Sequence, residues 1–345
     1  KRQALPCAWL AAAAIGHGQS TWLRKTPTTA QFLNGVSHGN GTYVAVGEGG
    51  AILSSTDTSS WGVVSSGSGA NLREVIHAGG QFVAVGAAAT VLSSPDGSTW
   101  TTRPTGLATA TTLSGLAFGN GLYVAVGGNG GTIITSPDGV AWSEAASSRQ
   151  FGTFLQGVSF ADGLFVATGA GTILTSTDGS SWSAASLPVP APFLLTDSGY
   201  FAGRHLAVGL NGQIVSSPDG TTWDYESSGT LHNLRSITTN GTSAVICGDN
   251  GTILKSSEGL AWGPVASGQS AILSDILFAD GRFVAVGDKV ANNGLIIIAD
   301  EDPGIRWKTP SASVTESAGS VTLTIERLGP ATSPVTIDYQ TLAGT

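Results

Sequence analysis

Residues 112–142 read TLSGLAFGNGLYVAVGGNGGTIITSPDGVAW, and residues 71–100 read NLREVIHAGGQFVAVGAAATVLSSPDGSTW. Aligned on their closing tryptophans, Trp142 and Trp100, the two stretches carry the same text. A leucine-led run ends in a Gly/Asn turn, and an apolar run of the YVAVG type follows. After a second glycine turn comes a short third run, then Ser-Pro-Asp-Gly-x-x-Trp, with the tryptophan opening a fourth run. Short runs punctuated by tight turns predict four antiparallel strands in one up-and-down sheet.

Tryptophan measures the period. Trp22, Trp61, Trp100, Trp142, Trp182, Trp223, Trp262 and Trp307 are 39, 39, 42, 40, 41, 39 and 45 residues apart. A period near 40 built of four strands predicts one propeller blade per unit. Seven units carry the first three runs, so the expected fold is all-β, a seven-bladed β-propeller of four-stranded blades. The seventh unit lacks its closing hairpin and reads Ile298-Ala-Asp-Glu-Asp-Pro-Gly304. The run Ser20 to Lys25, around Trp22, is therefore expected to supply the missing strand and leave no open edge. The competing arrangement has Trp307 closing its own blade.

The rest of the composition fits a neutral, turn-rich surface. Of 345 residues, 49 are glycine and 11 % are charged, with a net charge of −8. With 15 Lys plus Arg and no basic cluster, nucleic acid is not an expected partner. Of the two cysteines, Cys7 lies in the N-terminal segment and Cys247 in an apolar run, where it reads as a small buried hydrophobe. Lys1-Arg2, the apolar stretch Ala4 to Ile15, and Gly16 and Gly18 read as a secretory signal peptide over 1–18, too short to span a bilayer. No other segment is expected to cross a membrane, so a secreted or cell-surface location follows. The propeller is assigned to 19–303.

The hairpins carry a resemblance. Ser94-Pro-Asp96-Gly97, Ser136-Pro-Asp138-Gly139, Ser176-Thr-Asp178-Gly179 and Ser217-Pro-Asp219-Gly220, each ending in a tryptophan, resemble Asp-box (BNR-like) repeats. Ser55-Thr-Asp57 and Ser256-Ser-Glu258 are weaker copies. Asn71-Leu-Arg73 and Asn233-Leu-Arg235 resemble the photosystem II assembly-factor type of propeller most. Box aspartates are read as structural, because Asp bonds nearby backbone N–H groups and Gly supplies φ > 0. From Gly304, Ile305-Arg-Trp307 through Val314-Thr-Glu316 to Val335-Thr-Ile-Asp338 resembles the start of a Calx-beta domain, assigned to 304–345. That resemblance implies calcium for a complete module, with Glu316 as one ligand. Ala343 stands where the family places a further acidic ligand. No cofactor is expected in the propeller itself.

No catalytic constellation is evident. His17, His38, His77, His205 and His232 lack metal-ligand spacing, and the glycine-rich turns lie between strands, not before helices. The informative positions break the repeat. Just after the leucine that opens each first run stand Asn34, Arg73, Ser114, Gln156, Thr196, Arg235 and Ser274. The next positions are Gly35, Glu74, Gly115, Gly157, Asp197, Ser236 and Asp275. First strands line a propeller's channel, so these residues are expected to ring one mouth. Asn34, Arg73, Glu74, Gln156, Asp197, Arg235 and Asp275 are the candidate binding residues, for a protein or glycan ligand. A binding or adhesion module of a larger protein is the leading expectation. A sialidase- or glycosidase-like hydrolase using Glu74, Asp197 and Asp275 is the alternative, and an assembly factor for a membrane complex a third.

Overall fold

The computed structural model describes residues 21–301, apart from 28, 129, 189–193 and 292, together with 305–307 and 325–327. Within residues 21–299 the chain makes seven four-stranded antiparallel sheets. Blade 1 comprises Leu33–Gly39, Thr42–Gly47, Ile52–Ser55 and Gly62–Val64. Blades 2 to 6 repeat this order, with first strands Leu72–Ala78, Leu113–Gly119, Leu155–Ala161, Leu195–Phe201 and Leu234–Thr239. Blade 7 is built from Leu273–Ala279, Arg282–Val290 and Asn293–Asp300, and its fourth strand is Leu23–Lys25 from the other end of the chain. Leu23 pairs with Ile298 and Lys25 with Ile296. The expected closure is thus present. Trp307 does not close a blade: Ile305–Trp307 pairs with Ile325–Arg327 instead.

The core lies between blades. The leucine opening every first strand is fully buried. Trp100 of blade 2 packs on a cluster to which blade 1 contributes Val44, Val46 and Ile52, and Trp182 of blade 4 shares a cluster with Val124 and Val126 of blade 3. Each second strand carries a glycine opposite the leucine that opens the first strand, because the chain passes too close there for a side chain. A Cβ on Gly47 would stand 2.1 Å from the Phe32 carbonyl oxygen.

The Ser-x-Asp-Gly hairpins between third and fourth strands are held by one repeated set of bonds. Asp138 Oδ1 accepts the N–H groups of Val140 and Ala141 at 2.8 and 2.9 Å. Ser136 Oγ accepts Gly139 N–H at 2.9 Å, and Trp142 Nε1 donates to the Gly139 carbonyl at 3.2 Å. Asp57, Asp96, Asp178 and Asp219 make the same two backbone bonds. Those N–H bonds hold the Asp178 and Asp219 carboxyls down at about 2. Thr58 adopts φ +62° where the other hairpins have glycine or its equivalent, and its hydroxyl receives a 2.7 Å bond from Arg282 of blade 7. Blade 6 differs. Ser256 Oγ still accepts Gly259 N–H at 2.8 Å, but Glu258 receives neither of the two N–H bonds, and Trp262 Nε1 is buried without a partner. Glutamate is one methylene longer than the aspartate that makes these bonds in the other hairpins.

The signal-peptide reading of residues 1–18, Glu316 and most of the segment assigned to 304–345 lie outside the described residues. No described helix is long and apolar enough to cross a membrane. Cys247 is buried and free.

Candidate functional site

Every first strand carries the same irregularity. Leu33 pairs with Gly47, then one residue is skipped, and pairing resumes at Gly35 with Val46. The identical shift falls at Leu72/Glu74, Leu113/Gly115, Leu155/Gly157, Leu195/Asp197, Leu234/Ser236 and Leu273/Asp275. The skipped residue of this β-bulge is the one that breaks the sequence repeat: Asn34, Arg73, Ser114, Gln156, Thr196, Arg235 or Ser274. A bulge re-aims the side chain out of the ladder. All seven line one cavity of about 510 Å³ in the channel, together with Glu74, Asp197 and Asp275.

The innermost strand of a blade is a sheet edge, so alternate N–H and C=O groups face the channel without a ladder partner. The side chains cap them. Asp197 Oδ1 accepts Ser198 N–H at 2.7 Å, and its Oδ2 accepts Ile237 N–H of blade 6 at 2.9 Å. Asp275 Oδ1 accepts Ile276 N–H at 2.8 Å, and Oδ2 accepts Val36 N–H of blade 1 at 2.8 Å. Ser236 Oγ also donates to Asp275 at 2.7 Å. Glu74 Oε1 accepts Val75 N–H at 2.9 Å. Carbonyls are capped the same way: Asn34 Nδ2 donates to Leu72 O at 2.7 Å and Thr196 Oγ1 to Leu234 O at 2.8 Å.

The seven candidates therefore meet at one place with different tasks. Asn34 staples blade 1 to blade 2, Asp197 blade 5 to blade 6, and Asp275 blade 7 to blades 6 and 1. Arg235 is paired through Nε with Asp249, which also accepts from Asn233 Nδ2 at 2.8 Å. Neither Asp249 nor Ser236 was singled out by sequence reasoning. Ser236 already stood at the ring position of its blade, whereas Asp249 sits in an ordinary Asp-Asn-Gly turn that nothing distinguishes. On blades 2 to 4 the picture reverses. Among the described residues, the side chains of Arg73, Ser114 and Gln156 have no hydrogen bond or ion pair.

Burial sets the electrostatics. It raises the Asp197 carboxyl to about 7, against the opposing N–H bond from Ile237. Burial raises Asp275 as well, opposed by its bonds from Ser236, Val36 and Ile276. Glu74 is held well above the carboxylate range, first by burial and then by the charges of Asp275 and Asp197. The three acids thus sense one another across the channel. No group of three or more potential metal ligands occurs among the described residues.

A family model described as the DUF6242 beta propeller domain matches residues 74–193, roughly a third of the chain. No curated protein matches the sequence. Among solved structures, YCF48 bound to a D1 peptide is similar at 18 % identity with a TM-score of 0.67, covering 85 % of this chain and 100 % of that one. YCF48 from Cyanidioschyzon merolae is similar at 15 % identity and a TM-score of 0.64, covering 81 % and 99 %. A streptogramin B lyase is similar at 13 % identity and a TM-score of 0.69, covering 81 % and 97 %. At these identities the likeness is one of fold.

Proposed function

We propose that the chain is a binding propeller that takes a protein or peptide partner at the channel mouth, over blades 2 to 4. One observation carries this reading: the mouth is divided. Around blades 5, 6, 7 and 1 most polar side chains are taken up in bonds to the protein, the Ser274 hydroxyl being the exception. Around blades 2 to 4 an exposed guanidinium, a hydroxyl and a carboxamide face the same cavity with no partner. Groups that stabilise nothing internal are the ones free to contact a ligand. That YCF48, a propeller of similar fold, holds a D1 peptide supports a peptide over a glycan. The test is selection of a displayed random peptide library on the intact protein. Enriched peptides should lose binding to Arg73→Glu and keep it with Arg235→Gln. Failure to enrich any peptide, or binding indifferent to Arg73, overturns the reading.

In this proposal the module is secreted or on the cell surface, its hairpins are Asp-boxes, and residues 304–345 begin a Calx-beta domain with calcium at Glu316. The hydrolase reading draws on the Asp197 carboxyl near 7, a value suited to a general acid. Against it, both oxygens of Asp197 and of Asp275 are engaged with backbone N–H groups. A glycoside-hydrolysis screen decides: turnover abolished by Glu74→Gln or Asp275→Asn favours the enzyme. Co-purification with a membrane complex favours the assembly-factor reading.

A further inference from the structure

The residue that follows the ring position has the same place in all seven first strands. Val36, Val75, Leu116, Val158, Ser198, Ile237 and Ile276 pair opposite Ala45, Ala84, Ala125, Ala167, Ala207, Ile246 and Ala285. In five of them the backbone N–H, turned away from the ladder, ends on a carboxylate. Asp275 serves Val36 and Ile276, Asp197 serves Ser198 and Ile237, and Glu74 serves Val75. Two of these acids bridge neighbouring blades, one oxygen to each N–H, at 2.7–2.9 Å. The same register aims the Leu116 and Val158 N–H groups at the channel from adjacent blades 3 and 4. Among the described residues no side chain accepts either of them.

The ring positions there cannot supply the acceptor. They are Gly115 and Gly157, and a Cβ on Gly115 would stand 2.8 Å from Gly157 Cα. A Cβ on Gly157 would stand 2.6 Å from the Thr196 carbonyl oxygen. Leu116 and Val158 line the channel cavity, and so do Arg73, Ser114 and Gln156, which flank them on blades 2, 3 and 4. An edge N–H in a partly buried channel favours an acceptor, and a charged acceptor most.

We infer that the channel holds a carboxylate of its ligand between the Leu116 and Val158 N–H groups, in the geometry that Asp197 and Asp275 adopt between their own blades. The inference deepens the binding reading above by naming the group recognised: an acidic side chain or a free carboxylate. Arg73 supplies the countercharge at the mouth. Glu74, the acid on the neighbouring blade, has an oxygen, Oε2, with no bond, and burial favours its protonated form, which donates a hydrogen bond to an incoming carboxylate.

The intact protein, selectively labelled with 15N-leucine and 15N-valine, tests this by amide NMR with sodium acetate as the probe. Acetate should move the Leu116 and Val158 amide protons downfield and saturably. Val36 and Val75, already bonded to carboxylates, should stay in place. Acetamide, which offers a neutral acceptor of similar shape, should shift the same two amides at least threefold less at equal concentration. Shifts absent at Leu116 and Val158, or equal with acetamide, overturn the inference. The peptide selection is independent of it: peptides that bind through Arg73 but carry no carboxylate would leave the binding reading standing and remove this one.

Discussion

Asp275 Oδ2 accepts the backbone N–H of Val36 at 2.8 Å, and those two residues belong to the last blade and the first. The same carboxylate takes Ile276 N–H and the Ser236 hydroxyl. One side chain therefore ties three blades together at the seam where the ring closes. Asp275→Ala leaves three donors without their acceptor, and a cost of about 2–3 kcal/mol is expected. Urea unfolding should show it as a lower midpoint with little change in slope. Ser114→Ala, which removes a hydroxyl with no partner, should leave the midpoint within about 0.5 kcal/mol of the parent. Equal effects from the two substitutions would contradict the stapling role.

The carboxylates give stability two opposite pH limbs. Asp178 and Asp219 have folded values near 2, below the unfolded value of about 4. Between those values the unfolded chain binds more protons, so stability rises with pH. Asp197, near 7, and Glu74, held well above its ordinary value by burial, behave inversely. Above about pH 4 the folded chain holds protons that the unfolded chain has released, so stability falls as pH rises toward and beyond neutrality. Melting temperature should therefore peak in the mildly acidic range. Glu74→Gln keeps an oxygen for Val75 N–H and removes the charge. It should raise the melting temperature at about pH 8, change it little at about pH 5, and flatten the slope between. An unchanged slope would sink this assignment.

The hairpin of blade 6 can be repaired. Glu258→Asp shortens the side chain to the length at which Asp138 and Asp219 reach two N–H groups. A gain of roughly 2 °C in melting temperature is expected, the scale of a partly screened hydrogen-bond pair in a domain this size. Trp223→Ala, at the most buried of the repeat tryptophans among the described residues (1 % exposed), should cost about 3–5 kcal/mol. Calorimetry reads both. A loss of stability for Glu258→Asp would show that the blade 6 turn has a different backbone path from the others.

The blades were legible because their cause is local. Glycine turns act within one repeat, and the leucines and tryptophans recur at a fixed spacing because each packs on the neighbouring blade in the same way. The mouth was legible as a set of positions, since Arg73, Gln156 and Asp197 depart from the repeat where the strand bulges. Their tasks were not legible. Nothing near Asp275 in sequence announces that it bonds Val36, 239 residues away, and nothing near Arg235 announces Asp249. Such pairings depend on how neighbouring blades are rotated about the channel. Nor could spacing reveal the two N–H groups of Leu116 and Val158. Backbone donors acquire meaning only when the same donor is seen capped in the other blades.

Closure by the N-terminal strand has the largest consequence. Leu23–Lys25 covers the third strand of blade 7 by pairing with Ile296, Ile297 and Ile298, which are buried along with Leu295. Trp22, just before that strand, packs on Phe283, with ring centroids 6.3 Å apart. Deleting residues 19–27 uncovers a run of four large apolar residues on an unpaired edge and removes the tryptophan from the last interblade core. An exposed edge of that composition pairs with other molecules. The shortened protein should melt well below the parent and form aggregates that sediment. Ending the chain after residue 303 removes no blade strand and should leave propeller melting unchanged. Scanning calorimetry and sedimentation velocity on the two shortened proteins compare the alternatives directly. If the N-terminal deletion melts like the parent and the C-terminal one does not, Trp307 closes the ring and the strand assignment is wrong.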